Sequence, residues 1–107
     1  MQALDLPATN AQGFLLDSHS WNEAVAEQLA AREAIVLQAE HWEILYFIRE
    51  YYQNYQHLPN ARGFAKAISK TLGEEKAASR YLQKLFPQGP LKYACKLAGL
   101  PKPPTCM

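Results

Sequence analysis

Apolar residues recur at intervals of three and four through most of the chain, and alternation with a period of two is confined to its start. Leu4-Asp5-Leu6 and Gly13-Phe14-Leu15-Leu16 flank the turn-forming Pro7-Ala8-Thr9-Asn10, which predicts a small β-hairpin within residues 1–16. Ser20 and Glu23 read as a capping box, each side chain satisfying the other residue's backbone N–H. Ala24, Val25 and Leu29 then carry a helix to about Arg32. A longer helix is predicted from Ala39 to Gln56, where Trp42, Leu45, Tyr46, Ile48, Tyr52 and Tyr55 give one broad apolar and aromatic face. Pro59 breaks it, and a third helix follows from about Asn60 to Leu72, closed by Gly73. A fourth covers Glu75 to Leu85 and stops before Phe86-Pro87-Gln88-Gly89. Pro90 suits the first position of a fifth helix through Ala98, with Gly99 as its left-handed cap.

The chain then changes character. Leu100-Pro101-Lys102-Pro103-Pro104-Thr105-Cys106-Met107 holds three prolines in four positions, which excludes helix and central strand. The expected architecture is a mostly α, small helical bundle with an N-terminal β-hairpin and a flexible proline-rich C-terminal arm. Residues 1–99 form the single domain and residues 100–107 the mobile arm. A length of 107 residues suits one domain, and an apolar fraction of 49% suits a globular one. No stretch approaches the ~20 apolar residues of a spanning helix, and the first residues lack a secretory signal, so the expectation is a cytoplasmic protein away from membranes.

Charge is unevenly spread. Residues 1–56 carry two basic and eight acidic side chains, net −6, and residues 57–107 carry nine basic and two acidic, net +7. This polarity suits an acidic partner, nucleic acid or an anionic substrate at the second half, or two faces that attract each other in the fold. Arg62, Lys66 and Lys70 sit four apart and form one ridge, which suits a partner or simply a solvated face. Tyr51, Tyr52 and Tyr55 offer a base-stacking platform or, as the blander reading, core with wet hydroxyls.

The two cysteines, Cys95 and Cys106, cannot complete a four-ligand zinc site, and His19, His41 and His57 show no paired ligand spacing. No metal and no cofactor is expected. A penultimate cysteine has little packing rationale, because chain ends are usually exposed whereas structural thiols are usually buried. Cys106 is therefore the candidate reactive group. The prolines hold the arm extended at about 3.1 Å per residue, so that seven residues beyond Gly99 reach on the order of 20 Å into a partner's cleft. Lys92, Lys96 and Lys102 supply positive potential, which favours the nucleophilic thiolate. Cys95 is either a small core residue or a resolving partner for Cys106. No general base accompanies the thiol, so the expectation is a carrier acting with partner enzymes rather than an independent catalyst.

The stretch Cys95-Lys96-Leu97-Ala98-Gly99-Leu100-Pro101-Lys102-Pro103-Pro104-Thr105-Cys106-Met107 resembles the tail of the DsrC/TusE family of sulfur-relay proteins. His41-Trp42-Glu43-Ile44, Phe47-Ile48-Arg49-Glu50-Tyr51-Tyr52, Leu58-Pro59, Leu85-Phe86-Pro87 and Gly89-Pro90 extend the likeness over nearly the whole chain. The resemblance implies that Cys106 carries sulfur as a persulfide. It further implies either passage towards 2-thiouridine in tRNA or dissimilatory sulfur metabolism, in which the arm enters sulfite reductase. Cys95 matches the second arm cysteine of the dissimilatory branch and favours it. The partners so implied are upstream sulfur-donor relay proteins and a downstream tRNA-thiolating enzyme or dissimilatory sulfite reductase; from the charge pattern, Arg62, Lys66, Lys92, Lys96 and Lys102 are the candidate partner-binding residues. The alternative is a non-catalytic regulatory module that holds nucleic acid with the basic half.

Overall fold

The structure is a computed structural model and describes residues 7–103. Among the described residues six α-helices follow a single 3-10 turn at Ser18–Ser20: α1 Glu23–Arg32, α2 Ala39–Tyr55, α3 Ala61–Thr71, α4 Glu74–Ala77, α5 Ser79–Leu85 and α6 Pro90–Leu97. Among the described residues there is no extended strand. One antiparallel bridge joins Thr9 to Leu15, and the Leu4–Leu6 half of the expected hairpin lies outside the described residues. The turn falls later than the sequence reading put it. Asn10 accepts from the backbone N–H groups of Gln12 and Phe14, and Gly13 takes φ +91°, so the reversal centres on Asn10–Gly13 and Thr9 pairs.

The helix starts show how local chemistry chooses among candidate caps. Ser20 ends the 3-10 turn, and Asn22 caps α1 by accepting from Val25 N–H at 2.9 Å. The Ser20–Glu23 box therefore does not form. The Glu23 carboxylate instead receives the Tyr46 hydroxyl at 2.7 Å, which holds its pKa below the usual carboxylate range. Asn60 caps α3 through Gly63 N–H at 2.8 Å. The expected fourth helix is split, because Ala78 adopts an extended ψ of 138° between α4 and α5.

The buried seam of α2 is His41, Ile44, Leu45 and Ile48. Tyr46 and Tyr55, assigned to that face by the sequence reading, are 46% and 58% exposed. At 100° per residue Tyr46 points about 140° away from His41 and off the seam, whereas Tyr55 falls on the seam's side but is the last residue of α2 and lies beyond the core. Phe14, Leu29, Phe64, Ile68, Phe86, Leu97 and Leu100 complete the core. Helix α6 packs against α1, α2 and α5, whereas α3 packs chiefly on α4. The last helix is thus the central one, and every residue from Tyr93 to Leu100 is buried.

Candidate functional site

Helix α6 begins at Pro90, whose fixed φ suits the first helical position, and ends where glycine is required. Gly99 takes φ +73°; its N–H donates to the Lys96 carbonyl at 3.2 Å and the Leu100 N–H to the Cys95 carbonyl at 3.0 Å. These two bonds make a Schellman cap that folds the chain back over the helix end. Two carbonyls left without helical partners are met from other elements. Trp21 Nε1–H donates to the Leu97 carbonyl at 2.9 Å, and Arg49 donates to the Ala98 carbonyl at 2.8 Å. The Arg49 guanidinium lies 4.3 Å from the Trp21 ring centroid and reaches the Ser18 carbonyl at 3.4 Å. Burial pulls the Arg49 pKa down, with the Glu23 carboxylate opposing. Arginine remains charged through such shifts, so the helix end keeps its cation.

Sequence reasoning missed Trp21 and Arg49 as site-building residues. The available signal was an arginine inside the apolar face of a helix in the acidic half, since a half-buried cation must be held by oxygen atoms. Gly99 has the complementary role. A Cβ there would lie 2.5 Å from Trp21 Cδ1, so the indole occupies the space that glycine leaves.

Cys95 sits on α6 with no exposed surface, and burial pushes its thiol up to about 12. At neutral pH it is a protonated, inaccessible thiol. Lys96 does not stand free. It is 6% exposed, its Nζ lies 3.1 Å from Glu33 Oε2, and it faces the rings of Tyr93 and Phe14 at 4.9 Å and 5.4 Å. Its charge ties α6 to the end of α1 and the N-terminal turn.

Lys92 and Lys102 are exposed, as are Arg62 and Lys66 on α3. The structure does not gather the α3 pair with α6, because α3 leans on α4. The expected free arm is also altered at its root. Pro101 and Lys102 are exposed, but Leu100 and Pro103 are buried, so the chain is still held to the body four residues beyond Gly99. Cys106 lies outside the described residues. Among the described residues no group of three His, Cys, Asp or Glu side chains is placed to hold a metal, and no helix is long and apolar enough to cross a membrane.

The fold and this site define a small helical protein whose α6 carries a suppressed thiol at the centre of the core and ends in a glycine turn. Residues 5–107 match the family described as DsrC like protein, and the chain belongs to that family. The sulfurtransferase TusE of Pectobacterium atrosepticum is 52% identical over 100 residues, covering 94% of this chain and 92% of that protein. A TusE homolog of Haemophilus influenzae is 50% identical over 99 residues, covering 92% and 91%. Among solved structures, DsrC of Allochromatium vinosum superposes with a TM-score of 0.84 at 46% identity, covering 92% of this chain and 88% of that one. The oxidized gamma subunit of the dissimilatory sulfite reductase of Archaeoglobus fulgidus gives 0.80 at 40% identity, covering 94% and 92%.

Proposed function

We propose that this protein is a cytoplasmic sulfur carrier that loads and releases sulfane sulfur on Cys106, working between a donor and an acceptor protein. The observation that carries the reading is the state of the other cysteine. The sequence holds two, and Cys95 is fully buried with its ionisation suppressed, which leaves Cys106 as the thiol available for exchange. Membership of a family whose relatives are described as sulfurtransferases supports the same assignment.

The step is a thiol–persulfide exchange. The Cys106 thiolate attacks the outer sulfur of a donor persulfide; the donor's S–S bond breaks as the new one forms, the donor leaves as a thiolate, and Cys106 holds –S–SH. Delivery repeats the exchange with the acceptor as nucleophile. Residues 1–99 act as the body and the segment beyond as the arm, whose described part ends at the buried Pro103. Cys106 is three positions beyond Pro103, a span of roughly 10 Å at full extension. A partner must therefore bring its cleft close to the end of α6 rather than wait for a long tether. Lys92 and Lys102, both exposed, would meet an acidic rim there.

Two tasks share this chemistry. Transfer through Cys106 alone, towards tRNA thiolation, is favoured by the suppressed Cys95 thiol and by the TusE relatives. Two-cysteine chemistry with a dissimilatory sulfite reductase is favoured by the presence of Cys95 eleven positions before Cys106. Mass spectrometry after incubation with a persulfide donor tests both. Loading of one sulfur that persists in Cys95→Ala and vanishes in Cys106→Ser supports the first. Loss of productive transfer in Cys95→Ala supports the second, and loading that survives Cys106→Ser refutes the carrier assignment.

A further inference from the structure

A groove of about 470 Å³ opens between α2 and α3, away from the end of α6 and built from different residues. Its volume falls in the ~300–1,000 Å³ range of small-molecule sites. One wall is an aromatic ladder on α2. Phe47, Tyr51 and Tyr55 repeat every four residues, with ring centroids 6.5 Å and then 4.7 Å apart. His57 extends it past the helix end, 6.1 Å from Tyr51 and 6.3 Å from Tyr55. Tyr55 is 58% exposed, so the outer ring face is open to a ligand.

The opposite wall is cationic. Lys66 and Lys70 line it from one face of α3, with Arg62 one turn before them on the same ridge. Helix α3 has no acidic residue, and among the described residues none of these three cations is in an ion pair. Gly63 and Ala67 are the small residues between the cations, and they keep the groove open. Glu50, Asn54 and Thr71 add hydrogen-bonding groups at its margin.

From this juxtaposition we infer that the α2–α3 groove binds a short unpaired stretch of RNA. Bases stack on the Tyr51–Tyr55 wall, and phosphates pair with Lys66, Lys70 and Arg62. An aromatic face beside a row of free cations is what single-stranded nucleic acid requires, because every base has a π-face and every nucleotide a charge. Among the described residues Glu50 is the one acidic side chain lining the groove. It would repel phosphate but accepts a hydrogen bond from a ribose 2′-hydroxyl, as Asn54 and Thr71 can, which selects RNA over DNA. The inference is independent of the thiol.

Fluorescence anisotropy with a labelled, unstructured RNA of about eight nucleotides, inside the span of a small single-strand site, tests the inference on the full chain. Tyr55→Ala should weaken binding roughly 5- to 150-fold, the range for losing one stacked base, while Tyr55→Phe keeps it. Lys66→Gln and Lys70→Gln should each lower the slope of log affinity against log salt by about 0.7. Lys84→Gln on α5 and Cys106→Ser should change neither. Circular dichroism confirms the fold of each variant, and exposure of all three altered groove side chains makes retention of the fold the expected result. Equal affinity for DNA of the same sequence overturns the assignment to RNA. Displacement of the RNA by an oligoglutamate peptide that binds more tightly assigns the groove to an acidic protein segment and overturns it as well. So does RNA binding that is indifferent to Tyr55→Ala and to both lysine changes.

Discussion

Replacing Gly99 with alanine tests the construction of the turn that ends α6. The added methyl group meets two obstacles. Gly99 sits at φ +73°, where an L side chain costs about 1–2 kcal/mol. Its Cβ would also lie 2.5 Å from Trp21 Cδ1 and 2.8 Å from Trp21 Cβ and Cγ. The indole cannot step aside freely, since its N–H is bonded to the Leu97 carbonyl and its face is covered by Arg49. Overpacking of this kind costs about 1–3 kcal/mol. The sum is about 2–5 kcal/mol, and at roughly 4–8 °C per kcal/mol for a domain near this size the melting temperature should fall by about 10 °C or more. Thermal unfolding followed by circular dichroism measures it. In a Trp21→Ala background the crowding is gone and only the backbone part, about 1–2 kcal/mol, should persist. A second readout is alkylation of Cys95 in a Cys106→Ser background. If the strain opens the Schellman turn by about 2 kcal/mol, the buried thiol should react some 30-fold faster, at 1.4 kcal/mol per tenfold. A Gly99→Ala penalty below about 1 kcal/mol, or an equal penalty with and without Trp21, would refute the account of indole and glycine as a matched pair.

The Cys95 thiol predicts an alkaline instability. Its folded pKa is raised by burial to about 12 from an unfolded value of 9.0, so the unfolded chain releases this proton first. The contribution is intact below pH 9 and is lost as pH climbs towards 12, at about 1.4 kcal/mol per unit. Urea unfolding at pH 8, 9 and 10 should show this slope in the wild type and its loss in Cys95→Ala; identical slopes would contradict it. The Lys96–Glu33 pair predicts an asymmetry. Glu33→Gln leaves a nearly buried ammonium facing a neutral amide and should cost about 1–3 kcal/mol, discounted for the partial exposure of Glu33. Lys96→Met, which keeps the packing against Phe14 and Tyr93 and removes the stranded charge, should cost less, and urea midpoints in the reverse order would refute this reading.

The order and extent of most helices were legible because their signals are local. Apolar spacing marks α2 and α3 to within a residue at each end, and Pro90 and Gly99 bracket α6 as their fixed and left-handed φ values require. Errors arose where two local signals competed. Ser20 and Asn22 are both good caps, and tertiary contact between Glu23 and Tyr46 removed the partner that Ser20 needed. On α2, Leu45, Ile48, Trp42 and Tyr52 do face the core, and Tyr46 was misplaced because tyrosine is apolar enough to be counted as core, yet its hydroxyl lets it remain at the surface.

By itself the sequence determined a helical domain and a left-handed glycine turn at the end of its α6 helix, since each is written in the φ limits or periodicity of adjacent residues. Only the tertiary structure decided that Cys95 is suppressed, that Lys96 is locked to Glu33 and that Trp21 and Arg49 grip the carbonyls at the end of α6. Those properties come from burial and from contacts between residues up to 76 positions apart, which no local pattern encodes.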